Sequence, residues 1–500
     1  MKILDLTTLL GTLLLKNNLC ENNKTEISGV CFDSREIKED NAFVAITGVK
    51  TDGHLYIPKA IELGACVVVC ENEKEYDKYT GIYKNTAFFL VKDARRALAL
   101  VSKHFYGCVD EKLKIIGLTG TKGKTSTSFM IAGILNGAGK RCGIIGTTGA
   151  YFEDFYVEMN HSTPESRDLH SLFSKMYSLG AEYVVMEVSS QALMMSRVYG
   201  IRFECGVFTN ITPDHIGEGE HKDFEDYLYW KTRLFEVCKT AIVNRDADRA
   251  EDVLKVCQEN NCNIITYSLK KRTAEFFADN EVFYIDNGMK TKFDLYEGNV
   301  HKGQLEVGVP GKFSVFNALC AISCTASLGV GFEDIKKALK GVKVIGRTEP
   351  VDNPNLKAPV IIDYAHNAMS LESLFTAVKA YNPKRIICVF GCGGNRSKLR
   401  RYEMGEISGK YADISIITED NSRFEELDDI IADILTGMTK TDGKYEIVKK
   451  RRDAIYRAID ISREGDIVLL AGKGQETYLE IKGEKTHFDE REVVNSYFER

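Results

Sequence analysis

The residues best suited to chemistry stand in one stretch, Thr119-Gly120-Thr121-Lys122-Gly123-Lys124-Thr125-Ser126, directly after the apolar run Lys114-Ile115-Ile116-Gly117-Leu118. A strand that feeds a glycine-rich turn and then a helix is the context in which such a loop grips phosphate. Gly120 and Gly123 let the backbone amides around Thr121 and Lys122 turn toward one centre, and the helix that starts near Ser126 adds its own N–H groups. Lys124 would place a cation on the β- and γ-phosphates, and Thr125 would offer its hydroxyl to Mg²⁺. The spacing departs from the common form, because Leu118 occupies the position of the usual first glycine. Phosphate loops serve kinases, switches and ligases alike. The loop therefore selects nucleotide binding without selecting a reaction.

Further candidates follow other apolar runs. Glu187 ends the run Tyr183-Val184-Val185-Met186, and His215 follows the run 205–209 beside Asp214. Open α/β sheets bind ligands beyond the carboxyl ends of their strands, and a carboxylate there suits a hard cation. The plain alternatives are a solvated carboxylate and a packed or exposed histidine. Lys231 lies in Tyr227-Leu228-Tyr229-Trp230-Lys231-Thr232, where the plain reading is a lysine on a wet helix face. Three later strand ends carry Gly391-Cys392-Gly393-Gly394-Asn395-Arg396, Asp420-Asn421-Ser422-Arg423 and Gly472-Lys473-Gly474-Gln475-Glu476. These could converge on one crevice, and a guanidinium is suited to a two-point grip on a carboxylate.

The elements that must position these groups form an α/β chain. Strands are predicted at 42–46, 66–70, 114–118, 142–145, 183–187, 205–209 and 240–243, and again at 360–364, 385–390, 414–418 and 466–471, with helical patterns between them. Strands separated by helices imply mostly parallel sheets. Helices are predicted at 57–63, 94–105, 126–135, 313–328 and 332–339, and residues 276–309 read as β-rich. The apolar run 9–15 reads as a core helix rather than a signal peptide. The expected domains are 1–110, 111–346 and 347–500, in line with a length of 500 residues.

Composition narrows the class. Net charge is −6, which argues against a dedicated nucleic-acid or anionic-membrane binder. Hydrophobic content of 44% and charged content of 28% are those of a folded domain. No apolar run approaches the ~18 residues of a membrane span, so a soluble, cytoplasmic protein is expected. The 14 cysteines include the close pairs Cys66/Cys70 and Cys320/Cys324, but no zinc-ligand spacing, and are expected to be reduced and mostly buried.

Several of these segments, in the same order over nearly the whole chain, resemble the Mur ligases, ATP-dependent amide-bond enzymes of peptidoglycan precursor synthesis. The resemblance is strongest to the branch that adds the third amino acid to a UDP-muramyl dipeptide. It implies three domains: an N-terminal α/β domain binding the UDP substrate, a central phosphate-loop domain and a C-terminal Rossmann-like domain for the amino acid. In the first, Phe32, Ser34 and the turn Val49-Lys50-Thr51 would meet the uridine diphosphate. Ser162, Thr163, Ser189, Arg197 and Lys231 would contact the muramyl peptide. Thr125, Glu187, His215 and Lys231 would hold Mg²⁺, Lys231 as a carbamate. Asn317, Arg347, Asp363 and His366 would join the phosphate loop around ATP. Arg396, Asn421, Arg423, Gly472 and Glu476 would bind the incoming amino acid.

The chain departs from the family pattern at His161, Gln191, Met195, Ser422 and Gln475. Relatives that add meso-diaminopimelate carry Asp-Asn-Pro-Arg where this chain has Ser422 for the proline, but Arg423 is kept. Lysine and ornithine lack the distal carboxylate that Arg423 would grip, so diaminopimelate is the expected substrate and those two the alternatives. The implied reaction passes through an acyl phosphate on the D-glutamate γ-carboxylate, and a monomer is expected. The rivals are a folylpolyglutamate-type ligase on the same scaffold and a non-ligating nucleotide-binding regulator.

Overall fold

The computed structural model describes residues 1–19, 26–48, 51–217, 219–286 and 288–499. Its Cα packing forms two compact units, one of Met1–Ser128 with Gly139–Thr266 and one of Phe129–Ala138 with Tyr267–Arg500.

The first unit contains a five-stranded sheet in the order Leu14–Asn18, Ala87–Val91, Ala65–Cys70, Asn41–Val44, Gly29–Cys31. All neighbours run parallel except Leu14–Asn18, which pairs antiparallel with Leu14 opposite Val91. The single helix expected over 9–15 is therefore a correction. Helix Asp5–Leu10 stops at Gly11, whose φ of 46° breaks it, and the chain turns into an edge strand. Helix Ala94–Phe105 matches its expected bounds: Asp93 caps it by accepting from the Arg96 N–H, and Ala97, Leu98 and Val101 enter the core.

The same unit holds a parallel sheet built around Lys114–Thr119. Tyr183–Glu187 and then Cys142–Gly146 lie on one side, and Phe203–Phe208 and then Cys238–Asn244 on the other. Both faces are covered, which is why these strands read as unbroken apolar runs rather than alternating ones. Strand order reverses at Lys114–Thr119, the position where doubly wound sheets open a ligand crevice. Register sets Glu187 beside Leu118 and Phe208 beside Thr119, so the phosphate loop, Glu187 and Thr209-Asn210 emerge together.

A polar group is buried in this unit away from those loops. His170 is 1% exposed, and burial, followed by the charge of Lys103, pulls its pKa down to about 3. Its Nδ1 lies 3.8 Å from Asp110. An unfolded histidine titrates near 6.5, so the folded state binds fewer protons between that pH and 3, and stability is lost as pH falls through the window. From pH 6.5 to 5 the loss is about 2 kcal/mol. Urea titrations at the two pH values should show it in the native chain, and His170→Asn should flatten it.

In the second unit the β-rich stretch resolves into an antiparallel meander of Phe276–Ile285, Met289–Glu297 and Val300–Val307. Tyr381 Oη lies 2.5 Å from Thr291 Oγ1 and accepts the Gly311 N–H at 2.9 Å, which ties the meander to the start of helix Lys312–Ser327. A six-stranded sheet follows in the order Glu349–Pro350, Val360–Asp363, Ile467–Ala471, Ile386–Phe390, Ile414–Ile417, Tyr445–Ile447. Only the Glu349–Pro350 pairing is antiparallel. Register aligns Asp363 with Ala471, Ala471 with Phe390 and Phe390 with Ile417. The loops after all four strands thus leave the sheet at one edge. Arg451 braces that edge from within: it is fully buried, bonds the Ala471 carbonyl at 2.9 Å and pairs with the equally buried Glu490 at 2.8 Å. Among the described residues no helix is long and apolar enough to cross a membrane, and the described cysteines form no disulfide, those at 66 and 70 and at 320 and 324 included.

Candidate active site

The phosphate loop leaves its strand through Gly120, at φ 148°, and Gly123, at φ 87°. Only glycine fits at 120, because a Cβ there would sit 2.0 Å from Thr209 Oγ1. The loop is pinned from behind. Asn210 accepts the Lys122 N–H at 2.9 Å, Thr209 donates to the Lys122 carbonyl at 2.8 Å, and Thr121 Oγ1 accepts the Thr212 N–H at 3.0 Å. Lys124 folds over the loop and donates to the carbonyls of Gly120 and Thr121 at 2.8 and 3.2 Å. Ser126 is half-buried in the first turn of helix Lys124–Gly137.

Glu187 is 1% exposed and fully engaged. It accepts from the Thr125 hydroxyl at 2.8 Å, the Thr147 N–H at 3.0 Å and the Thr147 hydroxyl at 3.1 Å. Thr125 and Glu187 are thus joined as a pair of hard oxygen donors at the mouth of the loop. Mg²⁺ is held by one or two protein oxygens, with waters and substrate phosphates completing its shell. The pair fits that pattern.

Lys231 occupies the site differently from the plain reading. Instead of facing solvent it is 2% exposed, donates to the Gly120 carbonyl at 3.0 Å and lies 4.4 Å over the Tyr227 ring. Burial, then the neighbouring Lys124 charge, pushes its pKa well below that of an ordinary lysine. Both effects favour the uncharged form of the amine. His215 has acidic neighbours of its own. It sits in the left-handed region at φ 54°, its side chain is 60% exposed, and its Nδ1 lies 3.2 Å from Glu220. No cluster of three or more His, Cys, Asp or Glu side chains suited to a metal occurs among the described residues.

Next to it is a residue that the sequence reading left unassigned. His221 is buried, with Nδ1 3.0 Å from Asp226 and Nε2 2.9 Å from the Ser190 hydroxyl, and its N–H donates to the His215 carbonyl at 3.0 Å. It ties the His215 loop to the Lys231 helix. Only its apolar-free surroundings, Gly217 to Lys222, were visible in sequence, and those gave no hint of burial.

Among the residues expected to meet the muramyl peptide, Thr163 is buried and donates to the Glu187 carbonyl at 2.9 Å, while its hydroxyl accepts the Ser189 N–H at 3.1 Å. Arg197 donates to the Thr163 carbonyl at 3.0 Å and to Glu165 at 2.8 Å. Ser162 is half-buried beside them, and Gln191 and Met195 are partly exposed on the following turn. Thr163, Ser189, Arg197 and Glu187 therefore form one connected group. In the N-terminal sheet, Ser34 is buried at the turn capped by Asp33, Phe32 is half-buried and Thr51 is exposed. Val49 and Lys50 lie outside the described residues.

The second unit holds a separate cavity of about 310 Å³ at the aligned strand ends. Arg396, Asn421, Arg423, Gly472 and Glu476 all line it, together with Arg400 and His366. Asn421 donates to Glu476 at 2.8 Å, and buried Lys473 reaches both Asn421 and Glu476 at 3.2 Å. Burial works against ionisation of Asp420, but Lys473 and Arg451 hold its carboxyl below the usual range. Arg400, Lys473 and Asp420 carry no assigned role in sequence, although the last two stand in the strand-end segments. Asp363 accepts the Thr348 N–H at 2.7 Å, and burial, opposed by Arg347, raises its pKa. Arg347 stacks 4.8 Å from the Tyr364 ring, and burial lowers the pKa of His366, whose Nδ1 lies 2.9 Å from the Tyr364 carbonyl. Asn317 is half-buried in the second turn of its helix.

A phosphate loop on a doubly wound sheet, joined in one chain to a further Rossmann-like sheet with a charged pocket, defines a nucleotide-binding α/β protein. Family models place it further. Residues 26–106 match the Mur ligase family, catalytic domain; 118–325 the Mur ligase middle domain; and 346–474 the Mur ligase, glutamate ligase domain. The chain is 40% identical over 481 residues to the UDP-N-acetylmuramoyl-L-alanyl-D-glutamate--2,6-diaminopimelate ligase of Clostridium perfringens, covering 96% of each chain. It is 39% identical over 480 residues to the protein of the same description from Caldanaerobacter subterraneus, again with 96% of each covered. A solved structure with that description superposes at a TM-score of 0.73 and 26% identity, over 100% of this chain and 99% of the other. The chain belongs to the Mur ligase family.

Proposed function

We propose that this protein is the ATP-dependent ligase that joins meso-diaminopimelate to UDP-N-acetylmuramoyl-L-alanyl-D-glutamate in the cytoplasm. The observation that carries the choice of amino acid is the shared cavity: Arg423, Arg396, Asn421, Gly472 and Glu476 line one space of about 310 Å³. It offers guanidinium groups for carboxylates and a carboxylate for an ammonium, the pattern of a zwitterion with a second charged end. Relatives described as diaminopimelate ligases, collinear with this chain, support the same reading.

The chemistry follows from the residues. A γ-carboxylate oxygen of the D-glutamate attacks the γ-phosphorus of ATP, and the bond from that phosphorus to the ADP oxygen breaks, leaving an acyl phosphate. The amine of the incoming amino acid then attacks the acyl carbon, phosphate departs and the amine loses a proton. Lys124 swings from its loop carbonyls onto the phosphates and offsets charge as the two anions meet. Thr125 and Glu187 hold Mg²⁺, which supplies Lewis-acid neutralisation of the phosphates when bound. The carbamate of Lys231 adds an anionic oxygen ligand, and Thr163, Ser189 and Arg197 orient the peptide. Asn317, Arg347, Asp363 and His366 are assigned to the same nucleotide, and Phe32, Ser34, Val49, Lys50 and Thr51 to the uridine diphosphate. These assignments rest on the family resemblance.

The test is phosphate release from ATP with the muramyl dipeptide and, in turn, diaminopimelate, lysine and ornithine. Release should require both the dipeptide and an amino acid, with diaminopimelate preferred by at least ~10-fold in kcat/KM, the value of one charge-assisted contact. Hydrolysis indifferent to both substrates would establish a regulator instead, and a preference for lysine would reassign Arg423.

A further inference from the structure

The hairpin Tyr478–Ile481 with Glu484–His487 stands outside the six-stranded sheet, yet it is fastened to the loop that carries Asn421 and Arg423. The Arg423 N–H donates to the Glu480 carbonyl at 3.0 Å, and the Lys482 N–H to the Arg423 carbonyl at 2.6 Å. The Glu480 N–H donates to Asn421 Oδ1 at 3.0 Å. A fourth link joins side chains, Arg423 Nε to Glu480 Oε2 at 3.3 Å. Arg423 has a φ of 51°, a left-handed conformation that an arginine holds only when its surroundings impose it. Its Nη1 donates to the Gly394 carbonyl at 2.8 Å, so two of its three guanidinium nitrogens are engaged by protein before any ligand arrives.

Glu480 does not line the cavity, and its side chain is only 21% exposed. It is well placed to aim Arg423 and poorly placed to touch a ligand. From this we infer that Glu480 is a positioning residue for the amino-acid pocket: it fixes the guanidinium of Arg423 in the orientation that receives a second carboxylate and so sets the preference for a dicarboxylic diamino acid. The inference rests on the reading that Arg423 grips that carboxylate. It also explains how the loop stays ordered with Ser422 in place of a rigid proline: the hairpin supplies the restraint from outside. A free arginine samples many rotamers, and ordering it on binding weakens affinity.

Steady-state kinetics of the full chain test this, with KM measured for diaminopimelate, lysine and ATP and thermal midpoints recorded for every variant. Glu480→Ala should raise KM for diaminopimelate about 5–10-fold, the cost of ordering one long side chain, with kcat and KM for ATP unchanged. Use of lysine, which has no distal carboxylate, should not change. Glu480→Gln keeps an acceptor and should recover most of the loss. In an Arg423→Ala background Glu480→Ala should add nothing, because the partner it acts through is gone. An unchanged or lower KM for diaminopimelate in Glu480→Ala, an equal rise in KM for ATP, or multiplying effects in the double variant would each overturn the proposal. If Arg423→Ala itself left KM for diaminopimelate unchanged, the assignment of Arg423 would fall and this inference with it.

Discussion

Lys231→Ala is expected to lower kcat by at least ~10³-fold, equivalent to about 4 kcal/mol of transition-state stabilisation. The reason lies in where the side chain sits. Its amine is buried, hydrogen-bonded to the Gly120 carbonyl at the base of the phosphate loop and held 4.4 Å over Tyr227. Burial and the nearby Lys124 favour its neutral form, and the neutral amine is the form that adds to CO₂, losing a proton to give a carbamate. In the proposed site the carbamate would add an anionic oxygen ligand for Mg²⁺ beside the phosphate loop. Alanine would remove both the proposed ligand and the amine that makes it. Formate or acetate, small enough to enter the space left behind, should restore part of the activity. Turnover close to that of the native chain would remove Lys231 from the site, and loss with no rescue by any short carboxylate would argue for a packing role.

The second large effect is expected at Arg423. Arg423→Ala should raise KM for diaminopimelate by ~10²-fold, about the value of a two-point charge-assisted contact, while KM for ATP stays within ~2-fold. The separation follows from the architecture: Arg423 lines the cavity at the strand ends of the six-stranded sheet, and the phosphate loop belongs to another sheet. Lysine, which offers nothing to a distal guanidinium, should lose little. Equal losses for ATP and diaminopimelate would point to a general disturbance of the fold.

Much of this was legible in sequence because the determinants are local. The phosphate loop announces itself through glycines, lysine and hydroxyl residues within eight positions, and the strands flanking it are runs such as Tyr183–Glu187 whose burial on both faces leaves a continuous apolar signature. What escaped depends on distant partners. Leu14–Asn18 is a strand only because Ala87–Val91 offers it an edge, and its own pattern is mostly exposed. The burial of Lys231 is fixed by Gly120, 111 residues away, and helix periodicity alone puts a lysine in water. His221 lies in a polar stretch, and its role depends on Ser190 and Asp226 reaching it from two other elements. Lys473 stands in a strand-end segment that the sequence marks, but its burial depends on Asn421 and Glu476 closing around it. His215 shows how little of a side chain's setting is local: its backbone turns left-handed and its Nδ1 lies 3.2 Å from Glu220.

Every residue lining the 310 Å³ cavity comes from the stretch between Tyr364 and Glu476, on loops at one sheet edge braced by buried Arg451 and, for Arg400, on the helix Lys398–Tyr411 that follows one of them. Choice of amine is thereby separable from acid activation. Evolution, or an engineer, can exchange a handful of loop residues to accept a new nucleophile while the machinery that energises the carboxylate is inherited untouched.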